Sequence, residues 1–327
     1  RFDRRWDIVA LRREPGIDDM THARPLSYAQ NMEDYHLSLA FAGQQRGTYI
    51  DVGAGHPIAG SVSFWFYRRG WAGVVVEPQG DLARLHRKIR PRDSISQSLI
   101  GRGDEELDFY VFDRLHGLST TVREYADAAR ERFRTLRMKS FSLAQLCESH
   151  RLETIDFLKI DAEGAEADII AGADWTRFRP GIVLIEAIAP LSGEATWEKW
   201  EHLLLANGYR FALFDTLNRF YVAEERDDLA AKMPTERAPW DAVLHMYEIG
   251  RARENAAHPD HVLAQCLERG FWASLPLLEE NVVAAILQRG CELRGLGPDE
   301  KPGGAGETFQ ASLGLIASAY DGGFVDD

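Results

Sequence analysis

The chain has 327 residues, room for about two domains of ordinary size. Hydrophobic residues at 45%, charged residues at 27% and aromatics at 10% are the mix of a folded globular protein and exclude wholesale disorder. With 38 Lys and Arg against 51 Asp and Glu the net charge is -13, so the average surface repels a phosphate backbone and no nucleic-acid partner is expected.

Residues 1–26 are charged and show no period, which reads as an N-terminal extension. A signal peptide would be apolar there. The three cysteines, Cys147, Cys266 and Cys291, have no C-x-x-C spacing and support neither a disulfide framework nor a zinc site. No apolar run approaches the ~20 residues of a membrane span, so a cytoplasmic protein without a transmembrane segment is expected.

Residues 27–42 are predicted to form a helix carrying Gln30, Asn31, Glu33 and Asp34. From Thr48 to Glu224, short β-branched apolar runs alternate with helical stretches, the pattern of a parallel sheet covered on both faces. Strands are predicted over 48–52, 73–77, 94–100, 156–161, 182–187, 209–214 and 220–223. Only Asp215 to Arg219 separates the last two, too little for a crossover, so they form an antiparallel hairpin at one edge. Its Phe214, Phe220 and Tyr221 offer flat surfaces to a sugar ring or pack in the core.

Between the third and fourth strands, 107–112 alternates like an extra strand and 117–121 reads as a loop. The run 123–139, with Arg130, Arg132, Arg134, Arg137 and Lys139, is predicted as a charged helix, either a solvated face or a docking surface for an anionic group. Residues 197–207 place Trp197, Trp200 and Leu204 on one helical face. Beyond Pro239 the pattern is helical without strands, including 276–289. A Pro- and Gly-rich linker follows over 297–306. The expected division is 1–26, a domain over 27–238, and a helical C-terminal region over 239–327 that offers a surface for homo-oligomers.

The strongest motif is Tyr49-Ile50-Asp51-Val52-Gly53-Ala54-Gly55-His56-Pro57, a strand running into a D-x-G-x-G turn. Glycine at 53 and 55 lets the backbone pass close to a ligand. Glu77 ends the next strand 77 minus 51, or 26, residues after Asp51, where a carboxylate accepts the hydroxyls of an adenosine ribose. This geometry suits a nicotinamide dinucleotide or S-adenosylmethionine. Ile58 stands where the dinucleotide motif has its third glycine, and Asp51 puts negative charge beside the turn. The acid repels a pyrophosphate and attracts an ammonium and a sulfonium, which favours S-adenosylmethionine over NAD.

A second cluster comes from Lys159-Ile160-Asp161-Ala162-Glu163 at the end of the fourth strand and Glu186 at the end of the fifth. These strands are expected to be neighbours about 4.8 Å apart. Methyl transfer to an alcohol calls for a carboxylate base or a metal ion that acidifies the hydroxyl. Asp161, Glu163 and Glu186 are therefore the catalytic candidates, with Asp161 and Glu186 as ligands should a divalent ion such as Mg²⁺ take part. Glu163 also reads as a helix cap and Lys159 as a neutralising neighbour. His56 is either a base or a turn residue. His116, Ser119 and Thr120 either form a flap on the acceptor side or close a turn.

Six segments, taken in order, resemble the FkbM family of methyltransferases. They are Ser27-Tyr28-Ala29-Gln30-Asn31-Met32-Glu33-Asp34, the turn from Tyr49 to Gly55, Gly70-Trp71, Val76-Glu77-Pro78, Gly117-Leu118-Ser119-Thr120, and the twelve residues from Ile155 to Glu166. The resemblance covers about residues 27–225 and departs at His56, where relatives tend to have Asn. It implies an α/β, class I Rossmann-like fold and an S-adenosylmethionine-dependent O-methyltransferase acting on hydroxyls of sugars or polyketide-type products. Gln30 and Asp34 would roof the cofactor and Asp51, Gly53, Gly55, Glu77 and Pro78 would hold it. The acceptor expected first is a sugar, nucleotide-linked or on a cell-surface glycan. A polyketide alcohol, or a binding module without turnover, is the alternative.

Overall fold

The computed structural model describes residues 24–112, 115–246, 256, 261–279 and 281–287. Residues 1–23 and the predicted linker with its tail lie outside them. The chain divides into two compact units, Arg1–Tyr247 and Glu248–Asp327. In the first, the strands are β1 (Leu26–Ser27), β2 (Thr48–Val52), β3 (Ala72–Val76), β4 (Ser94–Ser96), β5 (Leu99–Gly101), β6 (Glu105–Phe112), β7 (Phe133–Ser142), β8 (Phe157–Ile160), β9 (Ile182–Glu186), β10 (Tyr209–Phe214), β11 (Asn218–Ala223) and β12 (Leu244–His245). Its helices are α1 (Glu33–Ala40), α2 (Phe64–Arg68), α3 (Gly80–Ile89), α4 (Arg123–Ala128), α5 (Leu143–Ser149), α6 (Glu166–Ala171), α7 (Glu201–Ala206) and α8 (Asp227–Ala230).

Seven strands form the main sheet in the order β10-β11-β9-β8-β2-β3-β4. Five are parallel, and β11 runs antiparallel to both β9 and β10, which is the predicted edge hairpin. This is the α/β, Rossmann-like, mostly parallel sheet expected of a class I methyltransferase. Chain direction reverses its progress across the sheet between β2 and β8, so a crevice opens at the carboxyl edge there.

Each buried strand feeds two cores. Ile50, Val52, Val74, Val76, Leu158, Ile160, Val183 and Ile185 pack against α5, α6 and α7. The alternate residues Tyr49, Val75, Phe157, Ile182 and Leu184 pack against α1 and α2. The period of two therefore sends Asp51, Glu77, Lys159, Asp161 and Glu186 to the α1/α2 face at the carboxyl edge.

Five predicted elements differ. The helix over 27–42 is only α1, because Asp34 accepts hydrogen bonds from the Tyr28 and Ala29 amides and from Ser27 Oγ, and so holds the preceding residues in a turn. The strand over 94–100 is two strands in different sheets, β4 in the main sheet and β5 in a small sheet ordered β5-β7-β6. The charged helix over 123–139 ends at Ala128. Residues Phe133–Ser142 are instead strand β7, whose Arg137 pairs across the ladder with Asp108. After Pro239 there is a strand, β12, paired in parallel with β1. Residues 197–207 split into a 3-10 turn over Trp197–Lys199 and α7.

In the second unit, α9 spans His261–Ser274, followed by a 3-10 turn over Leu275–Leu277 and helical residues 281–287. Of the predicted apolar stripe Val283 is buried, whereas Leu277, Val282 and Ile286 are exposed. Among the described residues no helix is long and apolar enough to cross a membrane.

Candidate active site

The turn after β2 is built around two glycines in left-handed conformation, Gly53 at φ 71° and Gly55 at φ 61°. At Gly53 a Cβ would stand 1.7 Å from the Asp161 carbonyl oxygen, so only glycine lets the β2 and β8 ends close together. At Gly55 a Cβ would meet nothing within 4 Å, which leaves open space on the outer side of the turn. Glu77, 2% exposed, accepts hydrogen bonds from the Gly55 amide (2.9 Å) and the Gln79 amide (2.7 Å). Burial pushes its carboxyl up to about 7 against those two amides.

Beneath the turn, register makes Asp51 and Lys159 direct neighbours on β2 and β8. Lys159 Nζ donates to the Gly53 carbonyl at 2.7 Å and lies 3.1 Å from Asp161 Oδ2 and 3.5 Å from Asp51 Oδ1. Burial opposes the ammonium, yet Asp161 and Asp51 together raise its pKa above the ordinary lysine value. Asp51, fully buried, takes its other bond from Ser63 Oγ. Ser63 in turn accepts from Arg90 Nη2 at 2.8 Å, and Arg90 also reaches Ser61 Oγ, Tyr49 OH and Asp93. A buried guanidinium thus ties the segment from Ser61 to Ser63 to the sheet. His86 Nε2 donates to the Gly55 carbonyl at 3.0 Å, its ring held neutral by burial and by Arg90, which lower its pKa to about 4.

At the crevice, Asp161, Glu163 and Glu186 bring carboxylate oxygens within 4.8 Å of one another. Burial, then Asp161, pushes Glu163 up to about 9. Burial, then Asp161 and Glu163, raises Glu186 well above the ordinary range, and Glu186 shares a hydrogen bond with Asp161. At neutral pH Glu163 therefore holds a proton, so the cluster offers a donor as well as acceptors. Glu163 Oε2 is buried without a partner. Glu163 does not cap α6, whose N-cap is Ala165 with no side-chain bond, and Glu166 Oε1 instead accepts from the Ala162 and Gly164 amides of the preceding loop.

The roof comes from the chain before α1. Asn31 Nδ2 donates to the Asp215 carbonyl, and Asn218 Nδ2 donates to Glu33 Oε1. Asn218 is the β11 register partner of Glu186, so the roof meets the sheet beside the carboxylate cluster. Gln30 is exposed, while Asp34 is buried in its turn-capping bonds. His56 Nδ1 accepts from the Ile58 and Ala59 amides and so shapes the turn. Pro78 continues from Glu77 into Gln79, whose Nε2 donates to the exposed His116 carbonyl, bringing the 116–118 turn to the Glu77 side. Thr120 is fully buried, its hydroxyl donating to the Glu163 carbonyl and accepting from the Val122 amide. Ser119 Oγ accepts from the Phe112 amide. The Thr120 hydroxyl buttresses the Glu163 loop. Phe220 and Tyr221 are buried in the core rather than open to a sugar.

Sequence reasoning passed over Arg90, His86 and Ser63. The signal for His86 was its place on the buried side of the strongly amphipathic α3, whereas Arg90 is the C-cap of that helix and Ser63 the N-cap of α2.

Residues 51–211 match the family described as methyltransferase FkbM domain. No curated protein matches the chain. Solved structures similar to it include a TehB-like SAM-dependent methyltransferase from Corynebacterium glutamicum, at 9% identity over 58% of this chain and 86% of that one, with a TM-score of 0.34. Another is an O-methyltransferase from Bacillus cereus in complex with SAH, at 14% identity over 60% and 82%, TM-score 0.32. A third is the fibrillarin pre-rRNA processing protein of Methanococcus jannaschii, at 14% identity over 59% and 76%, TM-score 0.32. The chain carries the methyltransferase FkbM domain over residues 51–211.

Proposed function

We propose that the protein is an O-methyltransferase whose acceptor is a sugar hydroxyl, on a nucleotide-linked sugar or a growing cell-surface glycan. The observation that carries this reading is that one sheet face gathers Glu77, the open turn at Gly55 and the carboxylate cluster at a single edge. The residues suit S-adenosylmethionine. Glu77 would accept the ribose hydroxyls, and the Gly53–Gly55 backbone would lie along the ligand, with open space outside Gly55. Acids rather than free cations surround the turn, which favours a ligand bearing positive charge. When bound, the cofactor supplies a methyl group on a sulfonium centre, electrophilic toward oxygen.

The chain's own groups do the rest. Lys159 holds the Gly53 carbonyl and Asp161 in one arrangement, so the cofactor turn and the acceptor side are set together. Asp161 accepts a hydrogen bond from the attacking hydroxyl and takes its proton as the oxygen–carbon bond forms. Glu163, holding a proton, donates to a neighbouring sugar oxygen, and this mix of donor and acceptors matches a polyhydroxylated acceptor better than an isolated alcohol. The three carboxylates also offer the oxygen set a divalent cation takes, although the Lys159 ammonium already balances Asp161.

The test is incubation with S-adenosylmethionine labelled in its methyl group against panels of nucleotide sugars, oligosaccharides and polyketide alcohols. Label is expected in a sugar as an alkali-stable ether. Label only in the polyketide panel would remove the sugar, and no label in any panel despite tight S-adenosylhomocysteine binding would leave a binding module.

A further inference from the structure

The segment after the edge hairpin folds back over the roof. β12 pairs with β1, the Ala238 amide donates to His36 Nε2 at 3.1 Å, and Arg237 Nη2 donates to Asn31 Oδ1 at 3.1 Å. Arg237 is half-buried, with its guanidinium carbon 5.2 Å from the centre of the Trp240 ring, which stacks on His245 at 3.6 Å. Its Nε is buried with no partner.

Among the described residues no carboxylate pairs with this guanidinium. Glu33 and Asp215 are linked to it only through Asn31. Burial, and the charge of Asp215, push Glu33 up to about 8, so Glu33 is no ready counter-ion. His36 offers no charge either, since burial and Arg237 lower it to about 4. A half-buried guanidinium with one neutral partner is an expensive arrangement. Its planar fork of donors matches a carboxylate or a phosphate.

Position gives the ligand. Asn31 bonds the turn at Asp215, and Asn218 in that turn lies opposite Glu186 on β9, so Arg237 stands at the same carboxyl edge as the cluster. In the basic run expected to meet an acidic acceptor, one cation already has its partners. Its Arg137 is paired with Asp108 and Glu106, and the neighbouring Arg123 with Asp127.

We propose that Arg237, backed by Trp240, forms an acceptor subsite for an anionic group, a sugar carboxylate or a sugar phosphate. That this anion belongs to the methyl acceptor rests on the O-methyltransferase reading, whereas its binding does not.

The test is calorimetric titration of the full chain, with and without S-adenosylhomocysteine, using glucuronate, glucose 1-phosphate and glucose. The wild type is expected to bind at least one of the two anions about tenfold more tightly than glucose. Arg237→Gln should abolish that preference and Arg237→Lys should keep most of it, with melting temperature and S-adenosylhomocysteine affinity unchanged in both. Preference for glucose 1-phosphate alone assigns a phosphate, and for glucuronate alone a uronic acid. A wild type without anion preference, or an Arg237→Gln variant that retains it, overturns the proposal. Failure of S-adenosylhomocysteine to bind the wild type would instead strike the methyltransferase reading, and the titration without it would still decide the subsite.

Discussion

Replacing Lys159 with Met keeps the length of the side chain and removes its charge, which isolates the ammonium that joins the turn to the cluster. The residue is 7% exposed, and its Nζ serves the Gly53 carbonyl, Asp161 and the fully buried Asp51 at once. Losing one partner of a buried ion pair typically costs ~3–5 kcal/mol, because the remaining charge stays buried without compensation. Here that charge is Asp51, left with only the Ser63 hydroxyl. Urea unfolding of Lys159→Met should therefore show a loss of ~3–5 kcal/mol, and the double variant with Asp51→Asn should recover about 2 kcal/mol of it. With its carbonyl anchor gone, the turn should bind S-adenosylhomocysteine about tenfold more weakly, the worth of one hydrogen bond to a charged group. A stability loss under ~1 kcal/mol together with unchanged affinity would refute the argument that this lysine sets the turn.

Gly53→Ala should prevent folding or cost well over ~3 kcal/mol, since its Cβ would overlap the Asp161 carbonyl, whereas Gly55→Ala should cost only the ~1–2 kcal/mol of a left-handed residue. Equal melting temperatures for the two variants would contradict this packing. Glu77, Glu163, Glu33 and Asp34 are raised to about 7, 9, 8 and 6, so the native state keeps protons that the unfolded chain releases near pH 4. Their contribution to stability is complete below the unfolded values and is lost as pH rises through the folded ones. The melting temperature should accordingly fall between pH 5 and 9, and a rise across that window would count against these ionisation states. Asp161→Asn and Glu186→Gln should lower turnover about 100-fold with S-adenosylhomocysteine affinity nearly unchanged, because they act on the acceptor side. Exhaustive treatment with EDTA should leave activity intact; loss restored by Mg²⁺ would put a metal on Asp161 and Glu186.

The strand ends were legible because parallel strands buried on both faces read as apolar runs, and a carboxylate that closes such a run has one place to go. Asp51, Glu77, Asp161 and Glu186 thus appeared at the correct edge, and Asn207-Gly208 marked the end of α7 as expected. What failed depended on partners distant in sequence. β7 looked helical because its exposed face is charged, and only its pairing with β6 makes those charges cross-strand neighbours. The roof looked continuous because nothing local reveals that Asp34 folds back on Ser27–Ala29, with Met32 in a left-handed conformation. Thr120 read either as part of an acceptor-side flap or as a residue closing a turn, and its hydroxyl is spent inside the fold on the Glu163 carbonyl and the Val122 amide. Arg90 and Ser63 carry no motif at all, and their role exists only once α3 and the segment before α2 meet over Tyr49 and Asp51.

Calorimetric titration of the wild type and Glu77→Ala with S-adenosylhomocysteine, with NAD as the control ligand, tests the site assignment most directly. The account predicts one S-adenosylhomocysteine site per chain, weakened by ~1–3 kcal/mol in Glu77→Ala, and no NAD binding. Binding of NAD, or an unchanged S-adenosylhomocysteine affinity in Glu77→Ala, would contradict it.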